Sequence, residues 1–181
     1  IVNYLGFDTL GQPPTVTLIE TGEEQLKRGM GVMQKNYEAT AARGGIPADA
    51  PAKRMGLITG VVGLENVKDA DLVIEAVFET MAVKKEVFEA LDKFAKPGAV
   101  LASNTSYLNI DEIAKVTKRP QDVLGMHFFS PANVMKLCEI VRADKTAPDA
   151  LTTAVSIARK IAKVPAVVGV CDGFVGNRML A

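Results

Sequence analysis

The chain has 181 residues, 48% of them hydrophobic, and its 21 lysines and arginines balance 21 acidic residues. This apolar content excludes an intrinsically disordered chain, and the zero net charge argues against a nucleic-acid-binding surface or a general affinity for anionic membranes. The length fits one domain of ordinary size with a small appendage, and no apolar run approaches the roughly 20 residues that span a bilayer.

The first residues and the two cysteines indicate in which cellular compartment the protein is expected. Residues 1–14, IVNYLGFDTLGQPP, lack a basic region followed by an uninterrupted apolar segment, so we expect no signal peptide. Cys138 and Cys171 are far apart in sequence and form no CxxC pair. This spacing argues against a disulfide scaffold or a zinc site, so we expect no metal and a reducing, intracellular compartment.

Short β-branched runs alternate with longer segments of helical periodicity along the chain. The predicted strands are 15–20, 56–62, part of 69–79, 99–106, 122–129, 136–143 and 165–170. The predicted helices are 22–43, 82–95, a short one within 109–117, 147–162 and one that opens within 171–181, with a loop over 44–51. This alternation predicts βαβ units and an α/β fold, with a largely parallel sheet covered by helices on both faces.

The second long predicted helix is amphipathic. Its apolar side carries Val83, Val87, Leu91 and Phe94. We therefore expect Lys84 and Lys85 to lie on a solvated face of this helix.

Polar residues cluster at or near the ends of the predicted strands. They are Glu20, Glu79, the turn 103–106 and His127. Ligands of parallel α/β sheets bind at the carboxyl ends of the strands, so this distribution predicts a ligand site there.

Glu20 closes a predicted strand and has two interpretations. An acid at the end of the second strand of a dinucleotide-binding fold accepts hydrogen bonds from a ribose, but that interpretation needs a glycine fingerprint about 20 residues earlier. Upstream the sequence offers only Gly6 and Gly11, with too little chain for a complete strand, turn and helix. On the residues alone, the pattern favours a solvated acid at the end of a strand over a ribose-binding acid.

His127 is the only histidine, and Glu139 follows it on the next predicted strand. If the two strands lie side by side, the carboxylate reaches the imidazole, fixes its tautomer and stabilises its protonated form. That arrangement suits a general base working near neutral pH. The alternatives are a buried histidine without chemistry and a structural ion pair.

Three further polar residues have both structural and functional interpretations. Ser106 lies in the turn SNTS, where it either caps the following helix or bonds a substrate oxygen, and it is not in a GxSxG elbow. Asn177 either caps the last helix or is exposed, and Arg43 either meets a phosphate or belongs to an ordinary basic helix face.

Three segments in order carry a resemblance to a known family. They are LVIEAVFETMAVKKEVFEALDKFAKPGAVLASNTSYLNIDEIA, GMHFFSPANVMKLCEIV and DGFVGNRML. Together they resemble the 3-hydroxyacyl-CoA dehydrogenase family, and the resemblance covers roughly residues 15–181. QKNYEATAARG is most similar to the version inside multifunctional β-oxidation enzymes, which join a hydratase/isomerase domain to this dehydrogenase.

The resemblance implies a two-domain enzyme that oxidises L-3-hydroxyacyl-CoA to 3-ketoacyl-CoA with NAD. Residues 1–172 would form the Rossmann-like, doubly wound NAD-binding domain, and residues 173–181 would begin a truncated helical domain that completes the acyl-CoA site. The implied partners are an acyl-CoA substrate and, for the parent enzyme, a homodimer or multifunctional complex. Bacterial cytoplasm, mitochondrion and peroxisome fit equally.

The resemblance also implies roles for individual residues. His127 would be the general base, Glu139 its orienting partner, Ser106 a donor to the substrate oxygen, and Asn177 a residue that holds the reacting groups. The implied cofactor contacts are Glu20 at the adenosine ribose and Ala76, Glu79 and Lys84 on the nicotinamide side. The implied contacts to CoA are Asn36 and Arg43.

The sequence departs from the family at both ends. Residues 1–14 stand where the opening strand and the GxGxxG turn are expected, so we expect the first βα unit to be missing and NAD binding to be weakened. Two other functions stay open. One is a 3-hydroxybutyryl-CoA dehydrogenase, and the other is a non-catalytic interaction or scaffold fragment with a dehydrogenase-like domain.

Overall fold

The structure is a computed structural model that describes residues 16–180. It divides into two compact units, unit 1 up to Asn66 and unit 2 from Val67 onward, with a 3-10 turn over Leu64–Asp69. The predictions for residues 1–14, including the missing first βα unit, lie outside the described residues. Within 16–180, the helices are all too short or too polar to cross a bilayer.

Unit 1 is a pair of parallel strands with two helices. Its elements are β1 (Val16–Glu20), α1 (Glu23–Ala42), α2 (Ala50–Met55) and β2 (Ile58–Val62). Strand β1 pairs with β2 over its whole length, so that Glu20 lies opposite Val62. Helix α1 contacts both strands, and the small core consists of Met33, Tyr37 and Ile58 with half-buried neighbours.

The predicted loop over 44–51 is wrong at its end, because α2 already begins at Ala50. Pro51 lies in the first turn of this helix. The first backbone N–H groups of a helix have no partner within the helix, so a proline costs little there.

Unit 2 contains a five-stranded sheet. Its elements are β3 (Leu72–Glu75), α3 (Met81–Phe94), β4 (Val100–Ser103), α4 (Ile110–Ala114), a 3-10 turn (Pro120–Asp122), β5 (Val123–Phe128), β6 (Leu137–Arg142), α5 (Pro148–Lys160), β7 (Val164–Gly169) and α6 (Gly176–Leu180). The strands lie in chain order from β3 to β7, and all neighbours are parallel except β5 and β6. The predicted α/β class with largely parallel strands is therefore confirmed.

The two faces of this sheet differ in character. Helix α5 packs its Ala150, Ala154 and Ala158 against an apolar face. That face is formed by Val100, Ala102, Leu124, Met126, Cys138 and Ile140. The opposite face carries a row of four neighbouring residues across β3, β4, β5 and β6. Two residues further along β5, the same face carries a pair of residues that lie opposite each other on β5 and β6. The row is Glu75, Ser103, Gly125 and Val141, and the pair is His127 and Glu139.

Helix α3 differs from its predicted orientation. Its buried residues are Lys84, Phe88 and Leu91, while Val83 and Val87 are only half-buried. The expectation that Lys84 lies on a solvated face is therefore wrong. The lysine is buried because carboxylates surround its ammonium group, which an apolar-periodicity argument does not detect. Lys85, the next residue, is half-buried.

We predict that Gly125→Ala destabilises unit 2. An added Cβ would lie 2.8 Å from Cβ of Val141 on the neighbouring strand, closer than carbon atoms approach. Overpacking of this kind costs about 1–3 kcal/mol in the free energy of unfolding, measured by urea denaturation. Gly169→Ala is the matched control, because no atom lies within 4 Å of an added Cβ on that strand. Equal stability of the two variants would contradict the prediction.

Candidate active site

His127 and Glu139 face each other across the antiparallel pair β5–β6. The two side chains are 4% and 1% exposed as residues, and Nδ1 of His127 is 2.8 Å from Oε2 of Glu139. The predicted side-by-side placement of the strands is therefore confirmed. A carboxylate only accepts hydrogen bonds, so the proton of the neutral ring lies on Nδ1 and Nε2 carries the lone pair. Within residues 16–180, Nε2 has no protein partner.

The second oxygen of Glu139 joins the sheet to α6. Oε1 accepts hydrogen bonds from the backbone N–H groups of Val175, at 3.0 Å, and Gly176, at 2.8 Å. The buried carboxylate thus has two amide donors besides the imidazole. Both oxygens of Glu139 therefore have hydrogen-bond partners inside the protein.

Aromatic rings and a glycine shape the surroundings of His127. The rings of Phe129 and Phe174 lie 4.4 and 5.8 Å from the imidazole, measured between centroids. Phe174 is fully buried and has a φ of 50°, a conformation uncommon for an aromatic residue. A Cβ at Gly176 would lie 2.5 Å from Cζ of Phe129, so this glycine lets α6 approach Glu139 and the aromatic ring together.

Ser106 and Asn177, which are far apart in sequence, are brought together. Nδ2 of Asn177 donates a hydrogen bond of 3.1 Å to the backbone carbonyl of Ser106. The interpretation of Ser106 as the cap of α4 is wrong, because the side chain of Asn109 caps that helix at the amide groups of Asp111 and Glu112. Asn177 follows Gly176 directly, so the Ser106 turn and the His127–Glu139 pair share α6 as a common support.

Two further sets of hydrogen bonds fix the turn after β4. Oδ1 of Asn104 accepts a hydrogen bond of 2.8 Å from the N–H of Phe128, next to His127. Oε1 of Glu79 accepts hydrogen bonds from Oγ1 of Thr105 and, at 2.7 Å, from the N–H of Ser106. Glu79 therefore contacts the Ser106 turn directly.

Glu75 is a site residue that the sequence pattern did not single out. Its carboxylate lies 2.9 and 3.1 Å from Nζ of Lys84 and accepts hydrogen bonds from Oγ of Ser103, at 2.7 Å, and the N–H of Val77, at 2.6 Å. Lys84 also contacts Oε2 of Glu79, at 3.2 Å. The sequence does contain a signal that could have identified Glu75. The segment LVIE is an apolar strand that ends on an acid, as TVTLIE does at Glu20.

The pKa of Glu79 is lowered from 4.5 by a balance of opposing effects. Burial by itself raises this pKa, but the hydrogen bonds from Thr105 and Ser106 and the ammonium group of Lys84 lower it by more. The carboxylate is therefore ionised throughout the neutral range.

The predicted cofactor residue Ala76 lies on an open stretch just after β3. Ala76 is exposed, and so are its neighbours Val77 and Phe78, the latter at 83%. Three consecutive apolar residues are thus open to solvent at the carboxyl end of β3.

The other predicted ligand contacts belong to unit 1. Glu20 is the last residue of β1, and within residues 16–180 its carboxylate has no hydrogen-bond partner. Asn36 lies on α1 and Arg43 directly follows the last residue of that helix, and both are exposed. Nε of Arg43 donates to the carbonyl of Ala39, at 3.1 Å, so the guanidinium group also closes the end of the helix. Among the described residues, no group of three or more candidate ligands could hold a metal ion.

The family model for "3-hydroxyacyl-CoA dehydrogenase, NAD binding domain" matches residues 10–171. The chain belongs to this family. Its fold is accordingly Rossmann-like, and the cofactor of the family is NAD, as the resemblance implied.

Individual relatives agree with this assignment. The chain is 42% identical to the peroxisomal bifunctional enzyme of Danio rerio over 97% of this chain and 25% of that protein. It is 39% identical to the peroxisomal fatty acid beta-oxidation multifunctional protein of Oryza sativa, over 91% of this chain and 23% of that one. The chain thus spans about a quarter of the length of the curated relatives it matches.

A solved structure supports the fold directly. The 3-hydroxybutyryl-CoA dehydrogenase of Escherichia coli superposes with a TM-score of 0.88 and 32% identity, over 91% of this chain and 35% of that chain.

Each unit, taken by itself, contains a described group whose chemistry suits one part of NAD. A strand-end carboxylate without a partner, as at Glu20, can accept hydrogen bonds from a ribose diol. The open stretch beginning at Ala76 can accept a nicotinamide ring. Residues 1–14, in which the sequence has no GxGxxG turn, lie outside the described residues.

We predict that Glu79 contributes a pH-dependent part of the stability. Because its folded pKa lies below 4.5, this contribution is fully present above pH 4.5 and is lost as the pH falls through the folded pKa. The urea midpoint of Glu79→Gln should therefore lie below that of the wild type at pH 7, and the difference should shrink in acid. Glu89→Gln, on the exposed face of α3, is the control. A difference that stays constant with pH would contradict the assignment.

Proposed function

We propose that this chain is the NAD-binding domain of an enzyme that oxidises L-3-hydroxyacyl-CoA to 3-ketoacyl-CoA in fatty-acid β-oxidation. The observation that carries the proposal is the buried His127–Glu139 pair, with Nε2 of the imidazole unpartnered within residues 16–180. The names of the relatives support the reaction class, because one is a bifunctional enzyme and another a β-oxidation multifunctional protein.

In this proposal, His127 is the general base. Its Nε2 takes the proton of the substrate's 3-hydroxyl group, and the ring becomes an imidazolium ion. Glu139 stabilises that ion through Nδ1, at 2.8 Å, while the amide groups of Val175 and Gly176 keep the carboxylate in place. Bound NAD supplies the acceptor for the hydride from C3. In the reverse direction, the imidazolium returns its proton to the forming alkoxide.

Ser106 and Asn177 are proposed to hold the substrate oxygen. Asn177 fixes the Ser106 turn through its hydrogen bond to the backbone carbonyl, which leaves the hydroxyl group of Ser106 to contact the substrate. Holding the alcohol oxygen against Nε2 places the proton and its acceptor within transfer distance.

The remaining ligand contacts are proposed unit by unit. In unit 1, Glu20 binds the adenosine ribose, and Asn36 and Arg43 contact the CoA moiety, where a guanidinium group suits a phosphate. In unit 2, Ala76 and Glu79 lie on the nicotinamide side. Lys84, which the resemblance also places there, is treated in the next subsection.

We further propose a larger protein context like that of the relatives. Residues 173–181 would begin a helical domain, and the parent would be a multifunctional enzyme acting as a homodimer or within a complex. A peroxisomal location is proposed from the Danio rerio relative.

A second candidate is 3-hydroxybutyryl-CoA dehydrogenase activity. The structural match to the Escherichia coli enzyme of that name favours it. Both candidates use the same base and differ in acyl chain length. Turnover of acetoacetyl-CoA alone would favour the short-chain activity, whereas turnover of longer 3-ketoacyl-CoA esters would favour the β-oxidation activity.

We predict that His127→Gln lowers kcat for acetoacetyl-CoA reduction about 100-fold or more, because loss of a general acid–base has effects of this size. The assay follows NADH oxidation by the full-length gene product that carries this chain. Glu139→Gln should also lower kcat, whereas Glu89→Gln, an exposed change of the same type, should not. Undiminished turnover by His127→Gln would eliminate the proposed base.

Binding separates the enzyme from a scaffold protein. Isothermal calorimetry should show NADH binding below millimolar concentration. No heat of binding at millimolar NADH would favour the scaffold function instead.

A further inference from the structure

The ammonium group of Lys84 is enclosed by the protein. The side chain is completely buried, and three carboxylate oxygens lie within 3.2 Å of Nζ, two from Glu75 and one from Glu79. Hydrogen bonds to both oxygens of Glu75 and the ion pair with Glu79 tie the ammonium group to these two carboxylates.

Glu75 is the centre of this buried cluster. Its carboxylate accepts hydrogen bonds from Nζ of Lys84 on α3, from Oγ of Ser103 on β4 and from the N–H of Val77 in the segment after β3. The residue as a whole is 4% exposed. A buried carboxylate with this many donors holds three segments of the chain in a fixed arrangement.

From this cluster a continuous series of contacts leads to the proposed catalytic residues. Lys84 contacts Glu79, and Glu79 accepts hydrogen bonds from Thr105 and from the N–H of Ser106. The carbonyl of Ser106 in turn accepts the hydrogen bond from Asn177. Each step is a direct contact between described side chains or backbone groups.

We propose that Glu75 and Lys84 are positioning residues, which hold Glu79 in the orientation that fixes the Ser106 turn. This inference rests on the proposed function only for its effect on turnover. The effect on the turn itself is a property of the chain alone.

Single replacements test the cluster but carry a risk of unfolding. Lys84→Met leaves the carboxylate of Glu75 buried without its cation. Glu75→Gln leaves the ammonium group of Lys84 with Glu79 as its one carboxylate partner. Each change is strongly destabilising, because it leaves a buried charge without full compensation. The double variant Glu75→Gln/Lys84→Met removes both buried charges. The glutamine oxygen can still accept from the N–H of Val77, and its NH2 group can donate to Oγ of Ser103, so this variant should fold with stability closer to the wild type.

The decisive measurement is amide hydrogen exchange in the 181-residue chain by NMR. In the double variant, the amide of Ser106 should exchange about tenfold or more faster than in the wild type, because Glu79 is no longer held. The amide of Ile140, in the interior strand β6, reports global opening and corrects for any change in overall stability. Lys85→Met, the same change one residue along α3, is the matched control and should leave Ser106 protected.

NADH affinity and turnover complete the test. Positioning predicts that Glu75→Gln, Lys84→Met and the double variant shift the NADH dissociation constant by similar, non-additive factors. Direct contact predicts a loss with Lys84→Met alone and an unchanged Ser106 amide. Wild-type protection of Ser106 in the double variant would overturn the inference. Failure of the proposed function would show separately, as undiminished turnover in His127→Gln.

Discussion

The buried carboxylate of Glu139 is the constraint on which the candidate site depends. It faces the imidazole of His127 on one side and two backbone amide groups at the start of α6 on the other. An ionised carboxylate inside a protein is tolerated only when such donors surround it. The same interactions therefore fix the tautomer of the histidine and attach the last helix to the sheet.

A second buried carboxylate, Glu75, has the corresponding role at the end of β3. Glu139 contacts the proposed base, whereas Glu75 and Lys84 are proposed to order the turn that carries Ser106. Asn177 connects the two regions, because it follows Gly176 in α6 and bonds to Ser106. Within unit 2, α6 thus contacts both the His127–Glu139 pair and the Ser106 turn.

Much of this arrangement could be predicted from the sequence. Strand and helix periodicity located every long element, and the spacing of His127 and Glu139 predicted their pairing, because opposed residues on neighbouring strands share a face. The burial of Lys84 could not be predicted, since apolar periodicity treats every lysine as solvent-exposed. Gly176 was missed for a different reason: its contact with Phe129 joins residues that are distant in the chain, and only the folded backbone shows it.

The central claim is that Glu139 holds His127 with Nε2 free to accept a proton. His127 is the only histidine in the chain, so its ring nitrogens can be assigned without ambiguity in two-bond nitrogen–proton NMR spectra of the ¹⁵N-labelled protein. With the ring neutral, we expect a protonated Nδ1 and an unprotonated Nε2, and we expect Glu139→Gln to disturb this pattern. A neutral ring protonated on Nε2 in the wild type would contradict the account.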